Sequence, residues 1–453
     1  MRINIKPVAL VFTLLAGMAV HAQEKRNLSL DEAITLSLQN SKEIKLNAAK
    51  VAEANGALRE ARERRLPDLT ASGSYLRLNQ PNVDMKVKLG SQSGGSAEGG
   101  SGSSSQTLQV NSVTYGMASL SIPVFSGFRI QHGIDAAKYL QKAATLDAEK
   151  DRDEVIANTI AAYSNLYKAK AALDIVKENL NQSQHRVADL SNLEKNGLLA
   201  RNDLLKAELQ QSNIELALVD AENNLKLTYI NMNLMLGLPE ETELVPDANA
   251  FTITTDTRNF EAWEAQALQN RKDMEAMNYR VKAASSGVKA AKGEYYPSIA
   301  LTGAYVAADI PGLLTLTNVV NGGVGVRYSP SSLWKTGSKV AQSKAQLQQA
   351  EISREMLNDG IRLQIAQAYQ TYLSATKKID VYNKAVEQAN ENYRIVKNKY
   401  DNSLTTTTEL LDADVAQLQA QLNYAFAKAD AVVAYKRLQA AAGTLTDNTN
   451  NNK

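Results

Sequence analysis

The stretch NSLTTTTELLDAD, residues 402–414, matches NGLLARNDLLKAE, residues 196–208, when the chain is compared with itself at an offset of 206. Asparagine, leucine and alanine recur at matching positions, and Asp203 stands opposite Glu409. Threonine is a poor helix former because its branched Cβ restricts χ1, and glycine favours turns. Both segments therefore predict a turn between two helices, so the chain contains the same helical hairpin twice.

The duplication extends well beyond the hairpins. At an offset of 230, LQNSKE (38–43) matches LQNRKD (268–273), and Pro67 pairs with Pro297. The difference, 230 − 206 = 24, is the extra length of a loop containing LGSQSGGSAEGGSGSSSQ (89–106), which is too poor in apolar residues to pack a core. We therefore expect two repeats, 23–237 and 259–443, joined by a linker (238–258) and followed by a disordered tail (444–453).

Each repeat is predicted as helix, strand, loop, strand, long helix, turn, helix. The strands are expected at about 69–79 and 113–125 in the first copy and at 298–309 and 322–330 in the second. Their Gly, Ser, Thr, Tyr and Val content, weak alternation and length of about ten residues suit a membrane β-barrel. A soluble pair of hairpins fits the strands equally well.

The helices carry clearer signals. Ser29 and Glu32 have the spacing of a capping box. Residues 134–196 contain neither proline nor glycine, which predicts a rod of about 95 Å. Apolar residues recur there every seven positions, as in a coiled coil, at Leu166, Leu173, Leu180 and Val187, matched in the second copy by Tyr372, Ile379, Val386 and Tyr393.

Composition excludes several functions. A net charge of +2 gives no support to nucleic-acid binding. The start, MRINIKPVALVFTLLAGMAVHAQE, has the pattern of a secretory signal peptide (1–22) cut after Ala22, and no later stretch predicts a transmembrane helix. Cysteine is absent, and neither a Gly-x-Ser-x-Gly nor a His-Glu-x-x-His motif occurs. We expect no enzyme activity, no cofactor and no metal site.

Four strands cannot close a barrel, and an open sheet edge in lipid leaves backbone groups unpaired. Several chains must therefore pool their strands if these lie in a membrane. Two chains would give eight strands, a number whose interior side chains fill, whereas three give twelve and leave room for a pore. The sequence favours a trimer.

The signal segment, the two helix–strand–strand–helix–turn–helix units and the hairpin sequences together resemble the TolC family of outer-membrane efflux proteins. The resemblance spans nearly the whole mature chain. It implies a mainly α fold with a membrane β-barrel, in which a homotrimer forms a twelve-stranded barrel in the outer membrane of a Gram-negative bacterium and a long periplasmic α-helical tunnel. It also implies a periplasmic adaptor (membrane fusion) protein and an inner-membrane transporter as partners.

Glu409 and Asp412 are three residues apart and therefore share a helical face. In a trimer that face would place six carboxylates around a constriction, and acidic rings select for cations. Thr406 and Glu409 also have capping-box spacing, so Glu409 is equally explained as a helix cap. The two roles are compatible.

The resemblance implies a gate at the same hairpins. Tyr400 matches a gate tyrosine that bonds to an aspartate, here Asp203, and Glu409 and Asp412 match the acidic rings of the periplasmic aperture. Thr405 stands where the family has a gate arginine, so Arg201, close to Asp203 in the other hairpin, is the candidate to supply the missing cation. Arg201, Asn202 and Thr405 are further possible gate or tip contacts.

The turns themselves resemble the tips that contact the adaptor. The residues concerned are Gly197 and Leu198 in the first hairpin and Ser403, in place of the family's glycine, and Leu404 in the second. A turn and a hydrophobic staple would explain them as well.

We therefore expect a passive exit duct of a tripartite efflux or type I secretion system. A soluble periplasmic coiled-coil adaptor or scaffold is the alternative. It would leave the strand pairs and the second copy without a purpose. The sequence does not indicate which substrate is exported.

Overall fold

The computed structural model describes residues 25–79, 110–251, 256–311 and 314–445. The predicted signal segment, the Gly/Ser loop and most of the predicted tail lie outside these residues. Thr444 and Leu445, the first two residues of that tail, are buried, so the packed chain extends further than expected. Within the described residues, none of the helices combines the length and apolar character that crossing a bilayer requires.

The predicted order of elements is present in both repeats. In chain order the elements are β1 (Lys25–Leu28), α1 (Leu30–Asn40), α2 (Lys42–Glu63), β2 (Asp68–Arg77), β3 (Ser112–Phe125), α3 (Arg129–Lys195), α4 (Arg201–Leu236), β4 (Glu243–Pro246), α5 (Phe260–Asn270), α6 (Lys272–Lys292), β5 (Ser298–Ile310), β6 (Leu314–Arg327), α7 (Ser332–Asp401) and α8 (Thr407–Ala441). Short 3₁₀ helices lie at Ala248–Phe251 and Gly293–Tyr295.

The structure differs from the predicted elements in two respects. The fourth barrel-type strand was expected at 322–330, but β6 begins eight residues earlier, because β5 runs to Ile310 and its antiparallel partner starts at Leu314 directly opposite. The opening helix of each repeat is also interrupted, at Ser41 and at Arg271. The Ser41 hydroxyl accepts a hydrogen bond from the backbone N–H of Ile44 (3.4 Å), so it restarts the helix as an N-cap does.

The chain packs as two compact units that do not coincide with the repeats. The helical unit comprises the chain up to Lys45, Asp151–Asn270 and the chain from Ile361 onward. The sheet unit comprises Leu46–Lys150 and Arg271–Gly360. Each unit takes residues from both repeats, because α3 and α7 are 67 and 70 residues long and contribute to both.

The core of the helical unit contains the predicted heptad residues Leu166 and Leu173, which pack with Met232 and Leu236 of α4. The predicted linker is part of this core, because β4 pairs in parallel with β1. Tyr163 joins the two segments: its hydroxyl donates to the Leu28 carbonyl (2.7 Å) and accepts from the Asp247 N–H (2.7 Å). Burial raises the pKa of Tyr163 to about 12, so the hydroxyl keeps its proton at neutral pH.

The sheet unit contains one antiparallel sheet in the order β2-β3-β5-β6, so β2 and β6 are its edges. Residues paired across strands point to the same face, and alternate residues point to opposite faces. One face carries apolar rows whose members include Leu69 opposite Leu120 and Ile122–Leu301–Val324. The interleaved rows, on the other face, carry Thr70 opposite Ser119 and Ser121 opposite Thr302.

Candidate functional site

Each hairpin turns through one residue in the left-handed conformation, Gly197 (φ 73°) and Ser403 (φ 60°). In both turns two backbone hydrogen bonds close the end of the preceding helix, with the N–H of Leu198 bonded to Leu193 and that of Leu404 to Lys399. This is the Schellman arrangement, which normally uses glycine at the left-handed position. The predicted match between Gly197 and Ser403 is therefore confirmed as a shared backbone conformation.

The two turns present the same side chain to solvent. Leu198 and Leu404 are each 75% exposed, among the highest values for large apolar residues in the described chain. Leu198 follows Gly197 and Leu404 follows Ser403, so the two repeats place a leucine at the same point of the turn. An exposed leucine at each tip is compatible with a binding contact, since burying it would remove apolar area from water.

The run of threonines organises the start of α8. Thr406 is the N-cap residue and accepts from the Glu409 N–H (3.3 Å), while the Thr405 hydroxyl donates to the Glu409 carboxylate. Thr407 is buried and hydrogen bonds with the Tyr400 hydroxyl. Thr406 therefore caps the helix, while the Glu409 carboxylate bonds to the Thr405 hydroxyl and its side chain remains exposed.

The acidic face predicted at the second hairpin is present. Glu409 and Asp412 are both exposed, while their neighbours Leu410, Leu411 and Ala413 are buried. The helix therefore directs the two carboxylates away from the packed core and toward solvent. In the first repeat the matching positions hold Asp203 and Lys206.

The predicted gate contacts are arranged differently. Within the described residues the Tyr400 hydroxyl bonds with Thr407 (3.3 Å), and the Asp203 carboxylate accepts from Lys206 (3.2 Å), so the expected Tyr400–Asp203 bond is not formed. The reason is local: the Tyr400 ring packs against a small apolar cluster made by Leu190, Leu204 and Ala207. Lys206, one helical turn from Asp203, supplies its counter-charge.

Arg201, the candidate to supply the missing cation, is placed elsewhere. Arg201 lies 3.8 Å from the Glu194 carboxylate rather than next to Asp203, and Asn202 is exposed. Lys206 does contact the second hairpin, because its ammonium donates to the Thr408 hydroxyl (3.2 Å). The sequence did not single out Lys206, although its charge opposite Asp412 in the repeat alignment was a visible signal.

A buried charged cluster near the hairpins was missed altogether. The Arg186 guanidinium of α3 donates both to the Asp414 carboxylate of α8 (2.9 and 3.0 Å) and to the Tyr393 hydroxyl of α7 (3.0 Å). The Arg186 and Asp414 side chains are 10% and 1% exposed. Burial lowers the pKa of Arg186, but the hydrogen bond and charge of Asp414 outweigh it and hold the pKa above its ordinary value. The Arg186 guanidinium is therefore charged.

The described residues of the hairpins contain no cluster that could hold a metal ion. Across 25–79, 110–251, 256–311 and 314–445, no group of three or more His, Asp or Glu side chains is close enough to hold a metal ion. The features that the hairpins do offer are the exposed leucines, the acidic face and the charged links between helices. Exposed leucines of this kind are compatible with a contact surface.

Comparison with known proteins gives consistent matches. The family model described as outer membrane efflux protein matches residues 33–238 and 263–444. Outer membrane efflux protein BepC of Brucella suis biovar 1 (strain 1330) is 26% identical over 395 residues, covering 86% of this chain and 85% of BepC. Toxin and drug export protein A of Aggregatibacter actinomycetemcomitans is 25% identical over 360 residues, which cover 74% of this chain and 75% of that protein. The structure of the outer-membrane channel OprN matches with a TM-score of 0.75 at 17% identity, covering 92% of this chain and 90% of the OprN chain.

Proposed function

The chain belongs to the outer membrane efflux protein family, and on that premise we propose that three copies form one continuous exit duct through a twelve-stranded barrel and a helical tunnel. The protein is an outer-membrane channel rather than an enzyme, and the soluble scaffold considered as an alternative is not supported. The duct conducts passively, so the driving force comes from an inner-membrane transporter reached through a periplasmic adaptor.

The observation that carries the proposal is the sheet with two open edges and two unlike faces. β2 and β6 have unpaired outer edges in a single chain, which lipid does not tolerate. On the apolar face Leu69 is 72% exposed and Val324 65%, whereas the opposite face carries hydroxyl groups. Joining β6 of one copy to β2 of the next would satisfy both edges. Three copies would then enclose a polar lumen and turn the apolar face toward lipid.

The long helices support the same assembly. Apolar side chains that no part of the described chain covers form a stripe on α4 and another on α7. The members are Leu205, Leu209, Leu216, Val219, Leu227 and Leu234 on α4, and Leu363, Leu373, Val381 and Ile395 on α7. Stable proteins bury apolar stripes of this length against another surface. In the proposed trimer a neighbouring copy packs against each stripe and provides that surface.

The hairpins form the periplasmic end of the proposed duct. Glu409 and Asp412, repeated in three copies, make an acidic opening that favours cations and repels anions. Leu198 and Leu404 are the contacts for the adaptor, because each offers an exposed apolar side chain on a rigid turn. We propose that the adaptor opens the aperture by binding these tips. The domains proposed are the two repeats, 23–237 and 259–443.

The assembly is tested by extracting the protein from outer membranes with detergent and measuring its mass in the native state. The proposal predicts a trimer, and predicts that Leu216→Glu/Leu227→Glu on the α4 stripe converts it to monomers. The matched control is Asn213→Glu/Asn224→Glu, which adds two charges with the same spacing at exposed positions about a quarter turn around α4 from the stripe and should leave the trimer intact. A wild-type monomer that fractionates with soluble periplasmic proteins would contradict the proposal.

A further inference from the structure

We propose that Arg186, Asp414 and Tyr393 form a clamp that holds the second hairpin against the first and thereby limits how far the aperture opens. The inference rests on the proposed function of the hairpins as the periplasmic aperture. It concerns residues that lie outside the turns and outside the acidic face. They act as positioning residues, because none of them reaches the exposed opening.

The clamp joins three helices at one buried point. Arg186 belongs to α3, the first helix of hairpin one, while Tyr393 and Asp414 belong to α7 and α8, the two helices of hairpin two. The Arg186 guanidinium is bidentate on Asp414 and lies 5.8 Å from the centre of the Tyr393 ring. Bidentate arginine–carboxylate pairs fix orientation as well as distance. The pair therefore specifies how one hairpin sits against the other.

The position along the helices suits control of the tips. Arg186 is eleven residues before Gly197, Tyr393 ten residues before Ser403 and Asp414 eleven after it. At 1.5 Å per residue these are distances of about 15 Å from each turn. Because the intervening helix is rigid, a small change in the angle between the helices at the clamp moves the tips. A second ion pair between α3 and α8, Lys168–Asp430 (2.8 Å), lies 18 residues before Arg186, further from the turn, and is more exposed.

Energetics explain why a charged pair serves better than an apolar contact here. Moving two charges out of water is costly, and apolar residues of similar volume often hold helices at least as firmly. A charged pair differs in its separated state, because water that enters between parted helices rehydrates both groups. An apolar contact would expose its surface to that water instead. The pair thus permits two defined arrangements, joined and parted, as a movable aperture requires.

The clamp is present once in each chain. In the repeat alignment Arg186 corresponds to Asn392 and Asp414 to Glu208, which cannot form an equivalent ion pair. Within the described residues the expected Tyr400–Asp203 bond is also missing, and another polar link between the hairpins near the tips, Lys206 to Thr408, is exposed. Exposed contacts of this kind contribute little. The buried cluster is therefore the principal polar tie between the two hairpins near the tips.

Single-channel recording of the intact purified trimer in a planar bilayer tests the clamp. The variant is Arg186→Gln/Asp414→Asn, which removes both charges without leaving one buried and unpaired. Hydrogen bonds to charged groups are strong enough that their loss should raise the ratio of open to closed time roughly tenfold. The matched control, Lys168→Gln/Asp430→Asn, removes the second pair between the same helices and should behave as wild type. The exchange Arg186→Asp/Asp414→Arg should restore the wild-type ratio.

The outcomes separate the clamp from the duct. A silent wild-type trimer beside a conducting clamp variant also supports the clamp. An unchanged open ratio in the clamp variant, silence of every trimer, or an equal rise in the control would overturn it and leave the duct unaffected. Should the exchanged pair fail to fold, the neutral variant and its control still decide. Wild-type protein that never assembles as a membrane trimer would contradict the proposed function instead.

Discussion

Replacing Ser403 by glycine should stabilise the protein. Ser403 has φ 60°, a conformation that costs an L-residue about 1–2 kcal/mol. Glycine avoids this cost but loses about 0.5–1 kcal/mol more chain entropy on folding. The net gain for Ser403→Gly is therefore about 0.5–1 kcal/mol per chain, which the trimer repeats three times. Gly197→Ala places a side chain in the same conformation and should cost about 1 kcal/mol per chain.

The assay is the thermal midpoint of the detergent-solubilised trimer, followed by loss of helical circular dichroism. Ser212→Gly is the matched control, because Ser212 is an exposed serine inside α4, where glycine costs about 0.5 kcal/mol relative to serine. The same substitution should thus raise the midpoint at 403 and lower it at 212. A drop of similar size at both positions would refute the assignment of strain to the turn.

Three further outcomes are expected in the same assay. Arg186→Met should be destabilising by about 3–5 kcal/mol, because it leaves Asp414 buried and unpaired. Arg186→Met/Asp414→Leu should recover most of that loss, and equal losses in the two variants would contradict the pairing. The hydrogen bond from Arg258 lowers the pKa of Asp256 to about 2. The ionised Asp256 carboxylate therefore contributes its full stabilisation of the folded protein above pH 4, and this contribution is lost as the pH falls toward 2. Because water screens the partly exposed Arg258, Asp256→Asn should cost about 1 kcal/mol at pH 7 and progressively less below pH 4, and a pH-independent cost would contradict this. Thr406→Ala removes an N-cap and should cost about 1 kcal/mol, whereas no measurable change would show that the cap is dispensable.

Most of the fold could be predicted from the sequence because the duplication made each repeat a check on the other. The helix caps at Ser29 and Thr406 follow local rules and are confirmed. The start of β6 was predicted too late because the glycines at 322–323 were read as its beginning, although the partner strand sets its length. Pairing between strands is a long-range constraint that local composition does not contain.

The candidate site was predicted in outline but not in its contacts. The turns, exposed leucines and acidic face depend on residues close in sequence, so their pattern was visible. The Arg186–Asp414 pair joins residues 228 positions apart, and their repeat partners do not share the chemistry. The bond expected for Tyr400 was displaced by packing of its ring, which depends on how three helices meet.

Single-channel recording with ion selectivity tests the acidic aperture most directly. The variant is Glu409→Gln/Asp412→Asn, which removes charge while leaving an acceptor for the Thr405 hydroxyl. Glu351→Gln/Glu355→Gln, two exposed acids on α7 far from the turn along the chain, is the control for lost charge alone. Discrete cation-preferring steps are expected for wild type and control, with the preference reduced in the aperture variant. Steps whose ion preference is the same in all three proteins would contradict an acidic ring at the hairpins.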